Sequence, residues 1–501
     1  MKLKLPRSAQ NWVSLTGAIV ALISCFMILF LFVISVVFGH GGVYLGLVTY
    51  ILLPAFLVSG LVLIPIGMII HARHLRGKGK IKPGWPVVNL NDPRNRNAFF
   101  IFSIGTAVFL FMSAIGNYEA YHFTESVKFC GTLCHKIMQP EYTAYQYSPH
   151  AKVPCVSCHV GPGASWYARS KISGLYQVYA TLTNTYPRPI TTPIKNLRPA
   201  RAVCEQCHWP QKFYARTLRF ETHYLPDKDN TRWNIRLIMK IGARHPAHGL
   251  KEGIHWHINP NVRIQYIATD HERNNIPWVR YIDLETGDST VYQDTENPLT
   301  KAQLDTLNVR TMDCIDCHTR PSHDFVSPSH FINTSMMAGD VSTDLPNIKS
   351  LSLGMFAADF PSSDSMMQTI RSGITNYYSQ NYPLVFSKKK QEIERAIKQI
   401  QYKSSINIFP DMKVRWDTHV NNLGHLDFKG CFRCHDDKHT DGGTNIIPRA
   451  CNLCHLINAQ GTPGKMENSD VTQSLEFKHP VDIGQAWKEV LCSDCHTGLN
   501  P

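Results

Sequence analysis

The sequence predicts three N-terminal transmembrane α-helices followed by a mostly α-helical and irregular extramembrane region with a small β-rich insertion. Three observations carry that reading. Residues 13–38, 43–70 and 98–115 are apolar runs free of charged side chains, each long enough to cross a bilayer as a helix. Beyond them, seven cysteine pairs recur, each with histidine directly after the second cysteine. Between the third and fourth of these pairs, short β-branched and aromatic runs are bounded by turn residues, the pattern of strands.

The seven sites are Cys130/Cys134/His135, Cys155/Cys158/His159, Cys204/Cys207/His208, Cys314/Cys317/His318, Cys431/Cys434/His435, Cys451/Cys454/His455 and Cys492/Cys495/His496. Two thiols at this spacing with histidine next is the attachment pattern of a c-type haem: the thiols add across the porphyrin vinyl groups and the imidazole takes the iron. Fourteen of the fifteen cysteines are used in this way. Neither zinc ribbons nor disulfides demand a histidine after every second cysteine. The expected fold class is therefore a membrane-anchored multihaem cytochrome c with seven covalently bound haems, whose macrocycles supply much of the apolar interior. The remaining thiol, Cys25, lies in an apolar run and is read as packing.

Charge agrees with this reading. The formal net charge of +13 would suggest an anionic partner, but seven haems bring about fourteen propionate charges, which offset it. Nucleic-acid binding is not expected. Haem attachment to cysteine pairs takes place outside the bacterial cytoplasm, consistent with the near-total commitment of cysteine to these sites.

Orientation follows from the loops. Lys2, Lys4 and Arg7 precede the first span, and the connection at 71–97 carries Arg73, Arg76, Lys78, Lys80, Lys82, Arg94 and Arg96. The link His40-Gly41-Gly42 carries no lysine or arginine. Positive loops stay in the cytoplasm, so the N-terminus is expected inside and everything after Ile115 outside, in the periplasm of a bacterial inner membrane. The first run is too long for a signal-peptide core and is followed by two more, so it reads as a span. His71 and His74 lie at one membrane face and His40 and His122 at the other, which makes them interfacial rather than ligands of a haem within the bilayer.

From Tyr121 the chain resembles the NapC/NirT/NrfH family of membrane-anchored quinol-oxidising cytochromes. The resemblance rests on Phe129-Cys130 leading to Met138-Gln139-Pro140, on Ser148-Pro149-His150, on Cys155-Val-Ser-Cys158-His159, and on Cys314-Ile-Asp-Cys317-His318 with His323 five residues later. It spans residues 121–325 with one long insertion. In two places the chain departs from the family pattern: three residues separate Cys130 from Cys134, and Met138 follows His135 by three residues instead of two. The resemblance implies that Met138 holds the first iron, with His135 as the competing ligand, that His150 serves the third haem, and that His323 serves the second. It also implies a quinol pocket beside the first haem, lined by Lys171. The family's carboxylate position is occupied by Gln177 and Val178, so Glu119 and Glu125 become the candidate proton acceptors.

The remaining ligands come from spacing. His223, fifteen residues after His208, is the candidate for the fourth haem; His425, His439 and His479 are candidates around the last three motifs, with His419 and His330 in reserve. Residues 278–284 and 289–293 read as a hairpin, and 253–258 and 263–267 as two further strands. His255 and His257 would share one face of such a strand, placed either to ligate a haem or to satisfy themselves in the core. A helix capped by Ser387 is expected to bury Ile393, Ala396, Ile397 and Ile400. The expected organisation is an anchor at 1–117, a four-haem module at 118–330 with its insertion at 224–310, a helical connector at 331–421, and a three-haem module at 422–501.

Together these features predict an inner-membrane quinol dehydrogenase that draws on the membrane quinol pool and passes electrons through its haems to periplasmic c-type cytochromes. The seven-site arrangement is similar to family members that feed extracellular electron transfer. Two other functions fit a multihaem chain. A terminal reductase of nitrite or hydroxylamine would need one iron with an open face, and a passive electron-transfer subunit would borrow its quinol site from a partner.

Overall fold

The protein is described from a computed structural model covering residues 10–38, 45, 48–77, 90–133, 135–161, 163–194, 198–210, 213–242 and 253–499. Cys134, the His135 ring, His40, and the basic residues Lys2, Lys4, Arg7, Lys78, Lys80 and Lys82 lie outside the described residues. The chain divides into two compact units, one of residues 1–136 and 154–156, the other of 137–153 and 157–501.

In the first unit the three apolar runs are helices: α1 (Trp12–Phe38), α2 (Leu53–Gly77), entered through one π-helical turn at Val48–Leu52, and α3 (Pro93–Glu125). All three are long and apolar enough to cross a membrane. Proline in the first turn of α3 loses no helical hydrogen bond, and the Asp92 carboxylate accepts from the Arg94 amide at 2.9 Å.

Since lipid is as apolar as the helix surface, α1 and α2 associate through close packing. Among the described residues of α1 the buried positions are Ser14, Gly17, Ala21 and Ser24, spaced three, four and three apart along one stripe. They meet Gly60 and Gly67 of α2. A Cβ on Gly60 would lie 2.7 Å from the Ala21 nitrogen, and one on Gly17 would lie 2.7 Å from the Gly60 carbonyl oxygen. The Ser14 hydroxyl donates across the interface to the Ile64 carbonyl at 2.9 Å.

After the short α4 (Val127–Thr132), α5 (His135–Gln146) and α6 (Cys155–His159) each begin in the first unit and continue into the second, which also holds α7 (Ala164–Leu182). Two antiparallel sheets come next. The first runs β1-β2-β8-β9, from β1 (Arg216–Tyr224), β2 (Arg232–Lys240), β8 (His455–Thr462) and β9 (Lys465–Asn468). The second runs β6-β3-β4-β5-β7, from β3 (Val262–Ile267), β4 (Trp278–Asp283), β5 (Ser289–Asp294), β6 (Arg310–Thr311) and β7 (His439–Thr440). The expected hairpin is β4–β5, with Trp278 opposite Gln293 and Ile282 opposite Ser289.

Three expectations are corrected. Residues 253–258 do not form a strand: Ile254–Ile258 is a 3-10 helix entered at Gly253, whose φ of +121° is open to glycine alone. Ser387 caps nothing; its hydroxyl bonds back to Leu384 inside the preceding helix, and the amphipathic helix runs Lys390–Ser405. The expected division at 421/422 is crossed by strands of both sheets, since β8 pairs with β2 and β7 with β5.

Between β6 and β7 in sequence lies a helical block of Pro328–Met337, Ile348–Met355, Ser363–Asn381 and Lys390–Ser405. Ile393, Ala396, Ile397 and Ile400 are buried there as the apolar spacing requires, against Phe331, Ile332, Ile370 and Ile374. This side-chain core also holds Lys349, which is fully buried. Its ammonium donates to the Tyr224 carbonyl and to Asn333 Oδ1. Burial lowers Lys349 to about 7.

Two outcomes are expected. Gly60→Leu drives a side chain into the α1 backbone and lowers stability by about 1–3 kcal/mol, read as an earlier thermal unfolding midpoint in detergent. For Lys349, the unfolded chain binds the proton more tightly, so folding stability rises with pH between about 7 and the ordinary lysine value of 10.5. Unfolding midpoints measured across that window will climb for the native chain relative to Lys349→Met.

Candidate haem-binding site

The described motifs are built on single helical turns, except that the sixth leaves its turn at Leu453 and its His455 opens β8. The histidine amide closes the turn on the first cysteine's carbonyl: His208 on Cys204 at 2.8 Å, His318 on Cys314 at 2.8 Å, His435 on Cys431 at 3.0 Å and His496 on Cys492 at 2.8 Å. That hydrogen bond puts both sulfurs on one face with the imidazole beside them, because residues three apart on a helix are neighbours. At the fourth motif Asp313 caps the turn, its carboxylate accepting the Cys314 amide at 2.7 Å.

Across from six of the motif histidines stands a second histidine ring. His159 faces His323 with ring centroids 6.1 Å apart, His208 faces His150 at 6.0 Å, and His318 faces His255 at 6.2 Å. His435 faces His257 at 5.8 Å, His455 faces His425 at 6.1 Å, and His496 faces His479 at 6.0 Å. Two imidazoles bound on opposite sides of one iron, each at about 2 Å, separate their centroids by roughly 6 Å. The spacing fits a haem iron between each pair.

Backbone carbonyls set the ring orientations. Nδ1–H donates to Glu141 from His323 at 2.9 Å, to Pro321 from His150 at 3.1 Å, to Ile241 from His255 at 2.8 Å, to Ile254 from His257 at 2.8 Å, to Pro448 from His435 at 3.2 Å, and to Val481 from His479 at 2.8 Å. With Nδ1 occupied, the lone pair is left on Nε2, the nitrogen an iron requires. Burial, reinforced by the facing ring, lowers His159, His435 and His455 to about 4 each, which keeps them neutral donors.

Against this geometry stand the comparisons with known proteins. Residues 93–190 match the model of the NapC/NirT cytochrome c family, N-terminal region. The cytochrome c-type protein ImcH of Geobacter sulfurreducens is 41% identical over 491 residues, covering 97% of this chain and 95% of its own length. The chain belongs to the NapC/NirT cytochrome c family. No solved structure matches it. As a membrane-anchored cytochrome c, it carries covalently bound haem and serves electron transfer.

In this cytochrome neighbouring motifs touch one another. The sulfur of Cys130 lies beside that of Cys155, that of Cys204 beside that of Cys314, and that of Cys431 beside that of Cys454. Cys207 and Cys495 are exposed. Cys158 and Cys451 are exposed as well, whereas both cysteines of the fourth and fifth motifs are half-buried.

The 3-10 turn at Ile254–Ile258 sends His255 to the fourth motif and His257 to the fifth. Arg433, inside the fifth motif, donates to the carbonyl of Asp316, inside the fourth, at 2.7 Å. The Asp316 carboxylate is buried and accepts from Tyr266, Arg273 and Arg310 at 2.7, 2.8 and 2.8 Å.

Other sequence candidates lie apart from the facing ring pairs. His223, expected near the fourth haem, sits on β1 with its ring 3.5 Å from the Asn333 amide nitrogen, and the place opposite His318 is taken by His255. His439 is buried with both ring nitrogens engaged, by Asp436 at 2.9 Å and by the Ile276 carbonyl at 2.7 Å. The reserve His419 bonds to the Thr192 hydroxyl at 3.1 Å. Met138 is half-buried on α5. The Lys171 ammonium lies 4.8 Å over the Tyr167 ring on α7, and Glu119 and Glu125 lie on α3. His255 and His257 were visible in the sequence only as an alternating His-Trp-His run. A strand would have put them on one face, whereas the 3-10 turn sends them to different partners.

Removing the carboxylate by Asp316→Ala leaves Arg273 and Arg310 facing an apolar gap. The expected loss is about 3–5 kcal/mol. Breaking the exposed Arg371–Glu394 pair, whose side chains are 48% and 42% exposed, will cost under about 1 kcal/mol. Parallel denaturation of the two variants checks the difference.

Proposed function

We propose that the protein is an inner-membrane quinol dehydrogenase. It oxidises membrane quinol and delivers the electrons, by way of seven covalently attached haems, to periplasmic c-type cytochromes, as in anaerobic or extracellular respiration. The observation that carries this reading is the set of six opposed imidazole pairs on a chain with three membrane-length helices. Haem iron, when bound, supplies a reversible one-electron couple.

In this reading the cysteine pairs of all seven motifs would hold the macrocycles, Cys207 and Cys495 included, and the iron would be held by His159 with His323, His208 with His150, His318 with His255, His435 with His257, His455 with His425, and His496 with His479. At the first motif Met138 is the proposed ligand, with His135 competing. Two ring ligands per iron favour electron passage over substrate chemistry, which is why a terminal reductase is the weaker alternative. The motif-to-motif contacts favour passage along the chain from the third motif to the sixth. Lys171, with Glu119 or Glu125, is proposed to bind the quinol headgroup and take its protons on the periplasmic side. The basic loop at 71–97 supports that orientation.

Two measurements test the proposal. Reduced menaquinone added to the protein in nanodiscs will reduce its haem without any partner, and Lys171→Met will slow that reduction on the order of 10²-fold; reduction by dithionite alone would instead mark a passive subunit. His257→Ala will yield a high-spin signal and CO binding, whereas His439→Ala will keep the native spectrum. CO or nitrite binding by the unaltered protein at one full equivalent of iron would move the assignment to the reductase.

A further inference from the structure

Helix α7 presents an apolar stripe that no part of its own unit covers. Ile172, Leu175, Tyr176, Tyr179 and Leu182 recur at i, i+3, i+4, i+7 and i+10, which places them on one side of a helix. They are 69%, 72%, 68%, 60% and 80% exposed. Among the described residues of α7, only Ala180 is buried. A stripe of this kind ordinarily faces a core, and five large apolar side chains left in water mark a surface made to be covered.

Charge and aromatic content say by what. From residue 142 to residue 204 there is no aspartate or glutamate, while Lys152, Arg169, Lys171, Arg188, Lys195, Arg198 and Arg201 fall in that interval. At the N-terminal half of α7 the cations lie on aromatic faces: Arg169 is 5.1 Å and Arg198 5.8 Å from the Trp166 ring centroid, and Lys171 is 4.8 Å from that of Tyr167. An apolar stripe flanked by cations and by Trp and Tyr rings is the make-up of a helix lying in a lipid headgroup layer. Chain connectivity agrees with this: α7 begins 39 residues after α3 ends at Glu125, and one family model spans both. A protein partner would be expected to bring acidic complementarity to so basic a segment, and a second copy of the same segment would set cation against cation.

We propose that α7 is an interfacial helix that seats its Ile172–Leu182 stripe in an anionic phospholipid bilayer, with Arg169, Arg188 and Arg198 at the headgroups. Its role is a second attachment, in addition to the three spans, that restrains the haem-bearing unit at the lipid surface. This inference does not depend on the identity of the electron donor.

The test uses full-length protein in nanodiscs of phosphatidylglycerol and phosphatidylcholine doped with a phospholipid carrying a diazirine high on its acyl chain. After irradiation, mass spectrometry of tryptic peptides will find lipid adducts on residues 172–195 as well as on the three spans. The segment holding the equally exposed Leu384 will carry none. In Leu175→Asp/Tyr179→Asp, adducts on 172–195 relative to those on the spans will fall by about 5-fold or more. Covalent haem content will be unchanged, which shows that the chain has folded. An unlabelled 172–195 peptide in the native protein overturns the proposal, as does equal labelling in the double variant. Placing benzoylphenylalanine at Leu175 separates the occupants: transfer to lipid supports the proposal, and a crosslinked dimer or a protein adduct in place of lipid overturns it.

Discussion

The hydrogen bond from a histidine Nδ1–H to a backbone carbonyl is the constraint on which the rest of the haem-bearing unit depends. Alone it is a modest interaction, on the order of 1 kcal/mol. Its value lies in choosing a tautomer and fixing a plane. An imidazole held by Glu141, Pro321, Ile241 or Ile254 has one nitrogen committed and the other aimed, so the facing rings stand about 6 Å apart without a shared hydrogen bond. Each carbonyl belongs to a segment that folds for other reasons. Glu141 is on α5, Ile241 follows β2, and Ile254 opens the 3-10 turn. Secondary structure acts here as a jig for side-chain rings.

The same economy appears between motifs. The turn at Ile254–Ile258 serves two motifs at once, and Arg433 joins the fifth motif to the fourth through backbone carbonyls on both sides. Asp316 gathers a tyrosine and two arginines at the centre of that junction. Burial, then the nearby Asp316 carboxylate, raise the pKa of Tyr266, so the phenol stays protonated and keeps donating. The helical block has no motif of its own, yet supplies a side-chain core of the ordinary kind, with Phe331, Ile370 and Ile397 buried. The fold therefore combines a region whose rings and thiols point toward prosthetic groups with one that packs like any soluble protein.

What the sequence revealed divides along physical lines. The anchor was legible because apolar length is a local property, and the cysteine turns because a covalent attachment demands fixed spacing. Spacing says nothing of how deeply each sulfur sits, so the exposure of Cys207 and Cys495 had no signal in the motif. The β4–β5 hairpin and the buried stripe of Ile393, Ala396, Ile397 and Ile400 followed from period alone. Second histidines are a different matter. His323 and His150 were found through family spacing close to a motif, while His425 and His479 stood near motifs in sequence. His255 and His257 lie about 60 and 180 residues from their facing rings, and only tertiary structure brings such pairs together. The Gly253 backbone overrode an alternating pattern that suggested a strand. His223 and His439 had the right residue type within reach, but one meets Asn333 and the other is consumed by Asp436 and Ile276.

The pairing of β2 with β8 sets a timetable for biogenesis. Asn234–Met239 find their partners only at His455–Gly461, more than two hundred residues further along the chain. A strand edge made early must wait, unpaired, until that distant segment has been synthesised. The cost of closing so long a loop is met only when that late segment arrives. The late strand acts as a clasp: the early pair of β1 and β2 gains its third strand only after the whole second sheet and the helical block have come before it in the chain.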